Sequence, residues 1–194
     1  MTEYSFVIIH GLGGSGLDHW QTWLANTLKQ RNFNVFYPVF SKFNRPNLDI
    51  WLQELKSTLE SVPKNHKLII ITHSLGGLLW QHYAASEDNR IADQVILVAP
   101  PSPSVVIPAA KSFYPVPLSG TNLRRVSEKT LFITSTNDPY CSIEDASQYL
   151  RLGLPAISLP NMGHINAESG HGSWPWILDL CEGFINNSNT VYSL

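Results

Sequence analysis

Six segments of the chain are apolar almost without interruption: YSFVII (4–9), NVFYPV (34–39), LIIIT (68–72), QVILVA (94–99), TLFITS (130–135) and AISLP (156–160). Each is bounded by turn formers or by the start of a helical pattern, so each reads as a strand. Continuous rather than alternating hydrophobicity is what strands covered on both faces show. Between them the apolar positions change period: Trp20, Trp23, Leu24 and Leu28 follow the first segment, and Trp51, Leu55 and Leu59 the second, at helical spacing. The alternation predicts an α/β protein, a three-layer α/β/α sandwich around a mainly parallel sheet of about six strands. In such sheets ligands gather at the carboxyl ends of the strands, near the reversal of strand order. The residues there are His10-Gly11, Ser74, Asp138 and the loop carrying His164.

Two stretches interrupt the alternation. From Pro100 to Pro117 the chain carries Pro101, Pro103, Pro108, Pro115 and Pro117, which exclude a long regular helix and predict an irregular excursion near the rim of the site. It is read equally as a pocket wall or as a surface loop. The last helical pattern runs from Trp174 to about Phe184, with Pro175 in its first turn, before a polar tail, NNSNT.

Composition narrows the function. A length of 194 residues with 43% hydrophobic content suits one domain, 1–194, with a real core. Thirteen Lys and Arg against fifteen Asp and Glu give a net charge of −2 without a basic stripe, so no nucleic-acid partner is expected. The apolar runs fall far short of the roughly 20 residues a membrane helix needs, so no membrane association is expected. The N-terminus lacks the basic-then-apolar pattern of a secretory leader, and Cys141 and Cys181 offer neither a disulfide framework nor metal spacing; the expected setting is the cytoplasm. His19, His66 and His82 have no ligand partners at metal spacing, so no metal is expected.

The chemistry centres on Ser74. In IIITHSLGG a buried apolar run stops at a small polar residue followed by two glycines, the pattern of a strand-to-helix elbow that presents a nucleophile. A serine hydroxyl needs a neighbour to take its proton, and Asp138 and His164 complete the order Ser, Asp, His. The intervals leave room for two strand-helix excursions between Ser74 and Asp138 and for one between Asp138 and His164, so each falls after a different strand. His164 follows Gly163, which permits a tight approach; His171, nearer the final helix, is the competitor. Oxyanion donors are expected from the amide of Leu75, at the start of a helix, together with that of Leu12 or Gly11. A rival reading starts from Gly11-Leu12-Gly13-Gly14-Ser15-Gly16, which matches the glycine pattern of a dinucleotide-binding loop. That pattern also requires an acid about 20 residues on to hold the ribose, and no Asp or Glu occurs between Asp18 and Asp49.

The runs VIIHGLGGSGLDHWQTWL, THSLGG, NDPYCS and GHINAESGHGSWPW together resemble an α/β-hydrolase, and more narrowly the small serine hydrolase family that includes retinoblastoma-binding protein 9 and its bacterial relatives. The resemblance covers most of the chain. It implies a compact hydrolase core without a large lid, the first strand lying between the second and third. It also implies the triad Ser74, Asp138 and His164, and hydrolysis of a small carboxylic ester or an amide without cofactor or metal. The natural substrate is not legible, and a hydrolase-fold module that binds a protein partner stays open as the alternative. Two positions depart from the general hydrolase pattern. Thr72 stands two before the nucleophile, where glycine is usual, and fits if the following helix sits slightly farther from the elbow. The excursion after the fourth strand is short, which predicts a shallow pocket for small acyl groups. His10, Trp20, Phe113, Tyr114 and Tyr140 are its candidate walls, with core packing as the competing role for the aromatic residues.

Overall fold

Six strands, β1 (Tyr4–Ile9), β2 (Asn34–Phe36), β3 (Lys67–His73), β4 (Gln94–Val98), β5 (Thr130–Ser135) and β6 (Ala156–Leu159), form one sheet in the order β2-β1-β3-β4-β5-β6, with every neighbouring pair parallel. The computed structural model describes residues 3–189. The helices are α1 (Trp20–Gln30), α2 (Leu48–Ser61), α3 (Leu75–Ala85), α4 (Gly120–Val126), α5 (Ile143–Leu150) and α6 (Pro175–Asn189).

Successive side chains of a strand point to opposite faces, so continuous apolar runs serve two cores at once. On one face Val7, Ile9, Leu68, Ile70, Val95, Leu97 and Phe132 pack with residues of α2, α3, α4 and α5, among them Trp51, Leu55, Leu78, Leu123 and Tyr149. On the other, Phe6, Ile8, Ile69, Ile71, Ile96, Val98 and Ile133 meet Trp20, Leu24 and Leu28 of α1 and Ile177, Leu178 and Cys181 of α6. Three layers follow, and α3 is buried nearly all round.

The chain runs from β1 out to β2 and returns across β1 to β3, so strand order reverses between β1 and β3. Chain segments leaving the carboxyl ends of those two strands diverge there and open a crevice. Gly11 and Ser74 stand on its two sides.

The ends of elements differ from the sequence expectation in two places. The second strand pairs only over Asn34–Phe36, because it is an edge strand and Pro38 has no N–H for a ladder. The last helix continues through the residues read as a polar tail as far as Asn189, while Thr190 lies outside the described residues. The proline-rich excursion is irregular, with a short 3-10 helix at Pro108–Phe113.

Candidate active site

Ser74 sits between β3 and α3 with φ 52° and ψ −124°, a left-handed conformation that costs a non-glycine residue energy and persists only when the surroundings enforce it. They do so by close approach. The Ser74 N–H donates to the carbonyl of Val98 at 3.0 Å, tying the elbow to β4. A Cβ on Gly76 would lie 2.7 Å from the Ile9 carbonyl oxygen and 2.8 Å from that of His10, and one on Gly11 would lie 2.8 Å from the Ser74 Cβ. Only glycine fits at either point. Thr72 is fully buried, its Oγ1 facing Gly77, where an added Cβ would stand at an ordinary 3.4 Å from the oxygen and closer, at 3.2 Å, to the Pro100 Cβ.

The loops after β5 and β6 bring the other two groups to the serine. Asn161 N–H donates to Thr136 Oγ1 at 2.9 Å, Met162 N–H to Ser135 Oγ at 3.0 Å and Gly163 N–H to Asn137 Oδ1 at 2.7 Å. The loop after β5 thus holds the one after β6 in register. Gly163 takes φ 58°, and a Cβ there would come 2.7 Å from that of Ser169. Asp138 Oδ1 accepts the Tyr140 N–H at 2.9 Å, and His164 Nδ1 lies 2.9 Å from both Asp138 carboxylate oxygens. With a carboxylate on Nδ1 the ring proton resides there, leaving Nε2 to accept from Ser74 Oγ at 2.8 Å. All three side chains are buried, Ser74 at 8%, Asp138 at 7% and His164 at 7% residue exposure, so the hydrogen bonds are little diluted by water.

His171 is placed elsewhere. Its carbonyl accepts the Trp20 N–H at 3.0 Å, and its ring lies beside Ser169 and Trp174. A histidine that the sequence reading passed over supports the site from beneath. His73 donates from Nε2 to the His164 carbonyl at 2.9 Å, and its ring lies 4.9 Å from that of His164. Burial, then the nearby His164 and His19, hold its pKa well below the usual imidazole value. Its position next to Ser74 was the available sequence signal.

A cavity of about 300 Å³ opens over Ser74. Its walls include Leu12, Gly13 and Gly14 of the loop after β1, His19, His73, Ile107, Tyr140, His164 and the Asn166–Glu168 segment. Tyr140 is the one expected aromatic wall found there, its ring 4.6 Å from that of His164. The others are drawn into packing and do not line the cavity. Trp20 is fully buried against Trp174 and donates to the Ile165 carbonyl, and Phe113 packs fully buried on Trp51. Tyr114 is half-buried with its hydroxyl on the Ser102 carbonyl. His10 is buried beneath the loop, its Nδ1 at the Gly11 carbonyl and its Nε2 accepting the Phe40 N–H, which places it as a scaffold for the glycine turn. The excursion after β4 contributes Ile107.

The amides of Leu12 and Leu75 donate to no protein acceptor among the described residues, and Leu12 itself lines the cavity. Gly13 and Gly14 take φ 81° and 76°, and the Gly13 N–H is occupied by the Phe43 carbonyl at 3.0 Å. A larger cleft of about 570 Å³ lies at the opposite end of the sheet, bordered by Lys56, Lys67 and Arg90, remote from Ser74. Among the described residues, no group of three or more His, Cys, Asp or Glu side chains is arranged to hold a metal. No helix there is long and apolar enough to cross a membrane.

A six-stranded parallel sheet with helices on both faces and a serine on the sharp turn after a central strand defines an α/β-hydrolase. The family model for serine hydrolases matches residues 6–182, and the chain belongs to that family. Solved structures agree on the fold. The ydeN gene product of B. subtilis is 18% identical with a TM-score of 0.79, covering 94% of this chain and 99% of its own. A YdeN-like hydrolase of Pectobacterium atrosepticum is 24% identical with a TM-score of 0.69, covering 91% and 88%. Est1E of Butyrivibrio proteoclasticus, solved with ferulic acid bound, is 14% identical with a TM-score of 0.70, covering 96% and 89%. No curated protein gives a significant match to the sequence.

Proposed function

We propose that this serine hydrolase cleaves small carboxylic esters, and secondarily amides, through an acyl-enzyme on Ser74. The observation that carries the reading is the unbroken line from Ser74 Oγ to His164 Nε2 at 2.8 Å and from His164 Nδ1 to Asp138 at 2.9 Å. Oγ attacks the carbonyl carbon while Nε2 takes its proton, and the Asp138 carboxylate stabilises the imidazolium that forms. The resulting oxyanion is met by the amides of Leu75 and Leu12, the former at the positive end of α3. Collapse breaks the carbon–oxygen bond to the leaving group, which departs with the proton from Nε2. Water repeats the sequence on the acyl-enzyme, releasing the acid and restoring Ser74.

The cavity, about 300 Å³, suits a small acyl group. Ferulic acid, bound to Est1E, is a small aromatic carboxylic acid, the class of product such an ester would release. Both cysteines are free thiols, which suits a reducing cytoplasmic setting. The test is reaction with a fluorophosphonate probe and location of the adduct by mass spectrometry. Wild-type protein is expected to carry the label on Ser74, and Ser74→Ala to fold and remain unlabelled. Equal labelling of Ser74→Ala refutes the assignment, and an unlabelled wild type favours a binding module instead.

A further inference from the structure

One cavity wall is unexplained by the mechanism. His19 is the residue that caps α1: its Nδ1 accepts the N–H of Gln21 at 3.1 Å. An imidazole nitrogen that accepts carries no proton, so the tautomer is fixed and the hydrogen resides on Nε2. Nε2 has no protein partner among the described residues, although His19 is only 6% exposed and its ring stands in the wall of the cavity over Ser74. Nε2 keeps access to the open cavity rather than being sealed in packed protein, so the donor is available to an acceptor that enters there.

We propose, building on the ester-hydrolase reading above, that His19 is a specificity residue whose Nε2–H hydrogen-bonds an acceptor oxygen carried by the substrate beside the scissile ester. The favoured class is then oxygen-bearing esters, with an ether, carbonyl or hydroxyl oxygen near the reacting group, over plain alkyl esters of the same shape. Three features converge on this role. The cap fixes which nitrogen donates. Packing fixes where it points, for the ring meets His73 at 4.8 Å and Trp20 at 5.6 Å. Burial, then His164, His171 and His10, lower its pKa to about 4, so at neutral pH the group is an uncharged donor suited to a neutral oxygen.

The test uses two pairs of esters matched in shape and differing by one ether oxygen. On the acyl side these are 4-nitrophenyl methoxyacetate and 4-nitrophenyl butanoate; on the alcohol side, 2-methoxyethyl acetate and butyl acetate. With kcat/KM corrected for alkaline hydrolysis rates, wild-type protein is expected to prefer the oxygen-bearing member of at least one pair by about 3–10-fold, the value of one hydrogen bond between neutral groups. His19→Asn retains a helix-capping oxygen but is too short to present the donor, and His19→Phe retains the ring without nitrogen. Either is expected to erase that preference. No preference in the wild type, or a preference that both variants keep, overturns the inference. Absence of any turnover that Ser74→Ala abolishes refutes the hydrolase reading beneath it, an outcome distinct from turnover with flat ratios.

Discussion

Lowering the pH from 7 to 5 should strip about 2 kcal/mol from the stability of the protein through His19 alone, with His73 acting in the same direction. Both are buried, and burial is the leading cause that lowers each pKa, His19 to about 4 and His73 well below the ordinary value of 6.5. The unfolded chain takes up a proton on each as the pH falls through about 6.5, whereas the folded chain does not, so stability falls with falling pH at up to about 1.4 kcal/mol per pH unit per group. Integrated from pH 7 to pH 5, His19 contributes a loss of about 2 kcal/mol, large against a total of roughly 5–15 kcal/mol, and His73 adds to it in the same direction. For His19 the loss levels off near its folded value. His10, His82 and His171 are shifted in the same direction and add to the slope. Urea unfolding followed by tryptophan fluorescence at pH 7, 6 and 5 measures the effect, and His19→Asn should flatten the dependence by about one proton. Equal unfolding free energies at pH 7 and 5, within about 1 kcal/mol, refute the premise that these imidazoles are held neutral.

Asp138→Asn should keep the fold and lower kcat on 4-nitrophenyl acetate by about 10⁴-fold, because an amide leaves the His164 proton on the wrong nitrogen; a loss below tenfold contradicts the role. Gly76→Ala should destabilise by about 1–3 kcal/mol in urea unfolding, since its methyl group meets the carbonyl oxygens of Ile9 and His10, neither of which can turn aside. Gly183→Ala in α6 is the control: nothing lies within 4 Å of its added Cβ, so it should be neutral or stabilise by up to about 1 kcal/mol. Cys141 and Cys181 are buried, and burial raises both thiols to about 12, so the native protein should resist a disulfide reagent at pH 7 while the unfolded chain reacts at both; rapid native labelling contradicts that burial.

The sheet and the meeting of Ser74, Asp138 and His164 at one rim were legible because each leaves a local mark. Two-sided burial writes a continuous apolar run, and a forced elbow writes small residues around a serine. Pocket walls leave no such mark. Trp20 and Phe113 look like Tyr140 as a string, yet α1 turns Trp20 onto Trp174 and the excursion turns Phe113 onto Trp51. Cavity residues such as Gly13, Ile107 and Asn166 come from three loops far apart in the chain, and only the fold brings them to one wall. The edge of the sheet was overread for the opposite reason: Tyr37, Pro38 and Val39 have a strand's hydrophobicity, but a proline at an edge cannot extend the ladder.

The same contrast explains why Thr72 stands where hydrolases usually carry glycine. What the elbow requires is space between strand, turn and helix, and any residue facing that space can supply it. Here Gly76 admits the backbone of β1 at the distance its missing Cβ allows and Gly11 does the same for Ser74, so the close approaches are made by glycines on the helix and the facing loop while Thr72 packs fully buried on the strand. The constraint belongs to the packed volume around Ser74. A one-dimensional motif records only one way of satisfying it, and here the strained serine is held through Val98 on one side and Gly11 on the other.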